Sequence, residues 1–218
     1  LKGLKTNEKN NPNLDLMKRF GSLIAASDLI ESRKVFSEYM DLDQVVSYAV
    51  VDRAIRNDDG VLHWYTDFSG SSNHNYYWYE EPIKKKIHLI PWDLDSAFEN
   101  LTATNPITFI PDSWGEISND CKPFPYGDWG IWQRSAGCDK IIKTWSSFKK
   151  EYKRLQNKLA DSYVDEASRL IDEWSIQIKE ATQEASRMHD DALSMKKWER
   201  NVGILKAQIF RMKMTLSN

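Results

Sequence analysis

The sequence has little that would tie its 218 residues to a membrane, to nucleic acid or to a sulfur-ligated metal. No apolar run approaches the roughly 20 residues that span a bilayer. No leader with a basic start and an apolar middle opens the chain. It begins at Leu1 without a methionine and reads as trimmed or excised from something longer, which leaves localisation open. There are only two cysteines, Cys121 and Cys138, too few for a four-ligand zinc site. In an oxidising compartment they would close a loop worth roughly 3 kcal/mol by chain entropy; in a reducing one they stay free thiols. Excess charge of one sign is also missing, since 30 Lys+Arg meet 32 Asp+Glu for a net −2. The balance hides an asymmetry: residues 1–139 carry 14 basic and 21 acidic groups, residues 140–218 carry 16 and 11, so the front is −7 and the back +5. The basic residues of the back half are spread along helices and form no dense run, so no nucleic-acid partner is expected. Repeats and low-complexity tracts are absent.

What is present is ordinary globular composition, 41% hydrophobic and 28% charged. Residues 1–13 are polar, with Gly3 and Pro12, and read as an incoming linker. Asn13 or Asp15 is placed to cap a helix through Phe20, Leu23 and Ile24, and a second helix takes in Val35, Phe36 and Tyr39. Asp41 or Asp43 starts a third, running to about Arg56, whose Val45, Val46, Ala49, Val50 and Ala54 fall at helical spacing. It is expected to end at Asn57-Asp58-Asp59-Gly60, with Gly60 in the left-handed conformation. A loop is expected over 61–73, then two strands, 75–79 and 86–90, joined through Glu80, Glu81 and Pro82. Regular periodicity then disappears over 101–139, where Pro, Gly and Trp are interleaved. From 140 the chain is helical. Val164, Ala167, Ile171, Trp174, Ile178 and Ala181 form one stripe, and Trp198, Val202, Leu205, Ile209 and Met212 another, expected as buried seams of antiparallel helices. The fold class is therefore α+β and mostly helical, with 14–100 and 140–218 as parts of one domain.

Hard oxygen ligands collect where elements end: Asn57 to Gly60, Asn73 to Asn75, and Asp93-Leu94-Asp95 after Pro91. In extended chain, residues two apart point the same way, so Asp93 and Asp95 can converge on one ion. Carboxylate, amide oxygen and water are the set expected of Mg2+. An isolated D-x-D is more often a solvated turn, and His63, His74 and His88 are more often satisfied side chains than ligands. A carboxylate-pair glycosidase built on Asp59 and Asp93 fits less well, because it gives Asn75 no role.

The order helix, N-x-D-G, loop, H-N-Y-x-x-Y, hairpin, I-P-W-D-x-D resembles the CotH family, spore coat protein H-like kinases with an atypical protein-kinase fold. The matching residues are Asn57, Asp59 and Gly60; His74, Asn75, Tyr76 and Tyr79; and Ile90, Pro91, Trp92, Asp93 and Asp95. Leu4 to Asn7, Met40 to Asp43 and the helical tail are similar too. The resemblance implies a C-terminal lobe of such a kinase, with a short β-hairpin at the active site and a helical C-terminal bundle. It further implies Asp59 as the catalytic aspartate, Asn75 and Asp93 as ligands of Mg2+ or Mn2+ bridging ATP phosphates, Asp95 as a further candidate ligand, and His74 and Trp92 in support, Trp92 as a packing anchor. Asp58 stands where the family usually has an aromatic residue and offers a competing carboxylate; Asp59 is preferred because Gly60 follows it. The nucleotide-binding lysine and phosphate-covering loop would lie upstream of Leu1, in an N-terminal lobe that residues 1–13 link to. The implied reaction is ATP-dependent transfer to Ser or Thr of an acceptor protein, with a spore coat, cell surface or other exported setting suggested by the family alone. The alternative is an inactive pseudokinase or binding module of an exported surface or coat protein.

Overall fold

The computed structural model describes residues 13–57, 59–94, 96–98, 120–126 and 130–216. Three helices come first: α1 (Asp15–Ala26), α2 (Leu29–Tyr39) and α3 (Leu42–Ala54). Their starts follow from side-chain oxygens that satisfy orphan amides. Asn13 Oδ1 accepts from Asp15 N, Asp28 from Glu31 N and Asp41 from Gln44 N. The exit of α3 differs from expectation. Arg56, at φ 49°, takes the left-handed position, with Asn57 N donating to Asp52 O and Arg56 N to Arg53 O. These two bonds use up the last carbonyls of the helix. Gly60 is not left-handed; it is needed for room, because a Cβ there would sit 2.4 Å from Asn57 Nδ2.

The expected loop over 61–73 contains two strands, β1 (Trp64–Asp67) and β2 (Gly70–Ser72). The hairpin follows as β3 (Tyr76–Glu81) and β4 (Lys86–Pro91), antiparallel in the register Tyr76 with Pro91 through Glu81 with Lys86. Part of the expected irregular segment is also regular. Strands β5 (Phe124–Tyr126) and β6 (Ile131–Arg134) complete an antiparallel sheet in the order β2-β1-β6-β5. Cys121 and Cys138 are joined as a disulfide, tying the approach to β5 to the short turn of helix at Ala136–Cys138. Positions 99–119 lie outside the described residues.

Two further helices, α4 (Lys140–Ser146) and α5 (Lys149–Lys158), close the main core. Phe36 packs edge-on to Trp145 at 5.7 Å, Phe20 and Phe148 flank it, and the inward residues of β4, Ile87 and Leu89, are buried in the same cluster. Lys86 at the base of β4 reaches the carbonyls of Ser37 and Glu38 at the end of α2, where a cation suits the helix dipole. The hairpin is thus anchored at one end, and its Tyr76–Pro91 end carries the candidate residues.

The last two helices, α6 (Val164–Met188) and α7 (Met195–Leu216), form an antiparallel pair. Ion pairs Asp165–Lys213, Asp172–Lys206 and Glu199–Lys179 recur every seven residues along one flank. The expected buried seam of α6 is only half right. Val164 is buried, but Trp174, Ile178 and Ala181 are exposed, and Ser168, Ser175, Thr182 and Ala185 are at least as covered. A helix with one neighbour buries one stripe at heptad spacing, and Trp174 and Ala181 fall beside it. The tail is a two-helix arm whose base, Ile209, Met212 and Leu216, packs near Ala54 and Ile55, in place of the expected bundle. Among the described residues no helix is long and apolar enough to cross a membrane.

Candidate functional site

The candidate residues meet where α3 runs out and the β3–β4 hairpin opens. Beneath them lies a buried polar scaffold. The Asp52 side chain has no exposure, and Oδ1 accepts from Tyr48 Oη at 2.9 Å and from Asn57 Nδ2 at 2.9 Å. Oδ2 accepts from Arg53 at 2.7 Å. The same guanidinium donates to His63 Nε2 at 3.1 Å, and Gln133 from β6 lies 3.5 Å from His63 Nδ1. Burial, with the Arg53 charge adding to it, holds His63 well below the usual histidine pKa, so this imidazole is neutral. Burial and the Asp52 carboxylate push the Tyr48 phenol up, keeping it a donor. Gly60 rests on Asn57, Asp52 and Tyr48 at distances no side chain allows, which fixes the height of Asp59.

Asp59 is held by three donors. Tyr65 Oη donates to Oδ1 at 2.8 Å, His74 Nε2 lies 2.7 Å from the same oxygen, and Asn75 Nδ2 donates to Oδ2 at 2.9 Å and to the Asp59 carbonyl at 2.8 Å. The rings of Tyr65 and His74 stack at 5.0 Å. Tyr65 and His74 thus share Oδ1, and Asn75 is the described side chain bonded to Oδ2. Tyr65 escaped the sequence reading because it fell in the expected loop; the run Trp64-Tyr65-Thr66 carried the strand signal. His74 serves as an orienting group on Asp59.

Asn75 and Asp93 sit on opposite lips of the hairpin mouth. Trp92 N donates to Asn75 O at 3.1 Å, extending the ladder by one step. Asn75 has φ 64° and Asp93 φ 56°, so both are left-handed. Asn and Asp bear that conformation better than most residues, and observed strain of this kind concentrates at working sites. Because the Asn75 amide nitrogen is committed to Asp59, its Oδ1 is the ligand atom left, and it makes no hydrogen bond with a described residue. The Asp93 carboxylate makes none either. Two hard oxygens with no partner among the described residues fit one end of a Mg2+ shell that keeps waters and phosphate oxygens for the rest. Among the described residues there is no group of three or more His, Cys, Asp or Glu able to hold a metal by itself. Asp58 and Asp95 lie outside the described residues, so their expected roles have no structural account. Trp92, expected as a packing anchor, is 47% exposed and stacks on Tyr77 at 5.8 Å. Asn73 bridges the two sides, donating to Val61 O and accepting from Tyr76 Oη.

A family model described as CotH kinase protein matches residues 1–214. The chain belongs to the CotH kinase family. Neither a curated protein nor a solved structure matches it. Membership covers nearly the whole chain, so the CotH match takes in the site, the two sheets and the helical arm together.

Proposed function

We propose that this chain carries the metal-binding and acceptor-orienting part of a CotH-type, ATP-dependent kinase that phosphorylates Ser or Thr on a partner protein. The observation that carries the reading is the pair of hydrogen bonds that Asn75 Nδ2 donates to Asp59, which joins the proposed catalytic carboxylate to the proposed ligand amide. Phosphoryl transfer asks the protein mainly to position groups and neutralise charge. Asp59 Oδ2 would accept the hydrogen bond of the acceptor hydroxyl and take its proton as the oxygen attacks. Tyr65 and His74 keep that carboxylate aimed. Asn75 Oδ1 and the Asp93 carboxylate would hold Mg2+ or Mn2+, which when bound neutralises the phosphates of ATP.

The test is phosphate incorporation from labelled ATP by the full-length protein with Mg2+ or Mn2+, alongside Asp59→Asn and Asp93→Ala. Loss of roughly two orders of magnitude in either variant is expected, and equal incorporation by all three would sink the assignment. A binding module without transfer is the second reading, favoured by the exposed row Tyr77, Tyr79 and Trp92 on the outer face of the hairpin. Calorimetry that finds no nucleotide binding to the full-length protein would decide for it.

A further inference from the structure

A second polar cavity lies away from the hairpin mouth, where the end of α3 meets α5 and the base of α7. It is a cleft of about 470 Å3, a size ordinary for a small-molecule site. Arg53, Arg56 and Arg211 line it, and among the described residues no carboxylate does. Its opposite wall is apolar, with Met212 and Leu216 of α7 facing Ala54. The Arg56 side chain makes no hydrogen bond or ion pair with any described residue. Arg53 spends Nε and Nη2 on Asp52 and His63, which leaves Nη1 without a described partner. The left-handed backbone of Arg56 breaks the helical direction one residue after Ile55, so Arg53 and Arg56 reach one cleft from either side of the helix end. Guanidiniums converging from two elements suit a tetrahedral dianion, since each offers a planar fork of donors.

We propose that this cleft binds a phosphomonoester carrying an apolar group, the phosphate on Arg56, Arg211 and Arg53 Nη1 and the apolar group on Met212 and Leu216. The proposal stands apart from the phosphoryl-transfer reading, because a protein without transfer activity would retain it. The probe is phenyl phosphate, titrated calorimetrically into the full-length protein, with inorganic phosphate and benzyl alcohol as its two halves. Saturable binding is expected for phenyl phosphate, weaker binding for inorganic phosphate, none for the alcohol, and loss of affinity as salt rises. The double variant Arg56→Gln/Arg211→Gln, with both side chains exposed, should stay folded by circular dichroism and bind at least about tenfold more weakly. Asp93→Asn should bind as the wild type does. No saturation at millimolar phenyl phosphate, equal binding by the arginine variant, or loss of binding in Asp93→Asn would each overturn the assignment.

Discussion

Asp59 and Asp93 stand at the ends of the two elements that frame the site, and they are held in opposite ways. Asp59 rests on a buried scaffold, Gly60 wedged against Asn57 and Asp52, and takes bonds from Tyr65, His74 and Asn75. Asp93 lies two residues past the end of β4 in a left-handed conformation, with exposed Trp92 and Leu94 beside it and no side-chain bond to a described residue. A group that must aim a hydroxyl needs a fixed direction before substrate arrives. A group that meets a hydrated cation is better left with open lone pairs, since every internal donor it accepts would have to be displaced.

The difference can be broken from the scaffold side. Asp52→Ala would leave the Arg53 guanidinium, the Tyr48 hydroxyl and the Asn57 amide facing a buried void. Removing one partner of a buried ion pair costs about 3–5 kcal/mol, and the urea midpoint should fall accordingly. Asp93→Ala, by contrast, should stay within about 0.5 kcal/mol of the wild type, as an exposed group does. Equal losses would mean that the two aspartates are held alike.

A smaller blow to the same scaffold is Gly60→Ala. The added Cβ meets Asn57 Nδ2 at 2.4 Å and Asp52 Oδ1 at 3.0 Å. Overpacking of this kind costs about 1–3 kcal/mol, read from thermal unfolding, and it should lower any activity that depends on Asp59 more than nucleotide affinity. A neutral result would show that the loop, and Asp59 with it, is looser than its contacts indicate.

The Asp93 side was more legible in the sequence than the Asp59 side. The run Lys86 to Pro91 alternates and stops at a proline, so the hairpin and its acidic corner followed from local pattern alone. Helices α1 and α3 were legible too, because Asn13 and Asp41 announce their starts, and α2 was read from Val35, Phe36 and Tyr39, its Asp28 cap emerging in the structure. The scaffold was not legible. Asp52 finds Tyr48, Arg53 and Asn57 close by in sequence, but His63 and Gln133, which complete the network on the Arg53 side, come from 10 and 80 residues beyond Arg53. Only the pairing of β1 with β6 brings them together. A buried charge within a helical stripe was the one available hint. The helical arm shows the converse limit: the period of 3 and 4 was right, but choosing Trp174 over Ser175 for the seam requires knowing that α6 has a single neighbour.

Tyr65→Phe sharpens the contrast at one hydroxyl. Asp59 would keep His74 and Asn75 but lose the bond at 2.8 Å, worth about 1 kcal/mol. The unfolding midpoint should drop by that much. In a full-length assay the loss should fall on turnover, with the Mg2+ requirement unchanged, because Asn75 and Asp93 are untouched. A raised Mg2+ requirement instead would mean that Tyr65 supports the metal side.

The smallest effect expected is one of pH. Native His63 is kept neutral by burial and by Arg53, with Asp52 across the guanidinium and His74 as a further, lesser contribution in the same direction as Arg53. Unfolded, the same imidazole takes a proton near pH 6.5. Below that pH the unfolded chain binds the extra proton and the native state does not, so stability is complete above about pH 6.5 and declines as the solution is acidified toward the lower native value. At pH 6 the loss is less than about 1 kcal/mol. Urea midpoints from pH 8 to pH 5.5, for the wild type and for His63→Gln, isolate this contribution from the exposed carboxylates common to both. Parallel curves would show that His63 takes up its proton in the native state, and that the scaffold under Asp59 admits a charge its geometry is built to keep out.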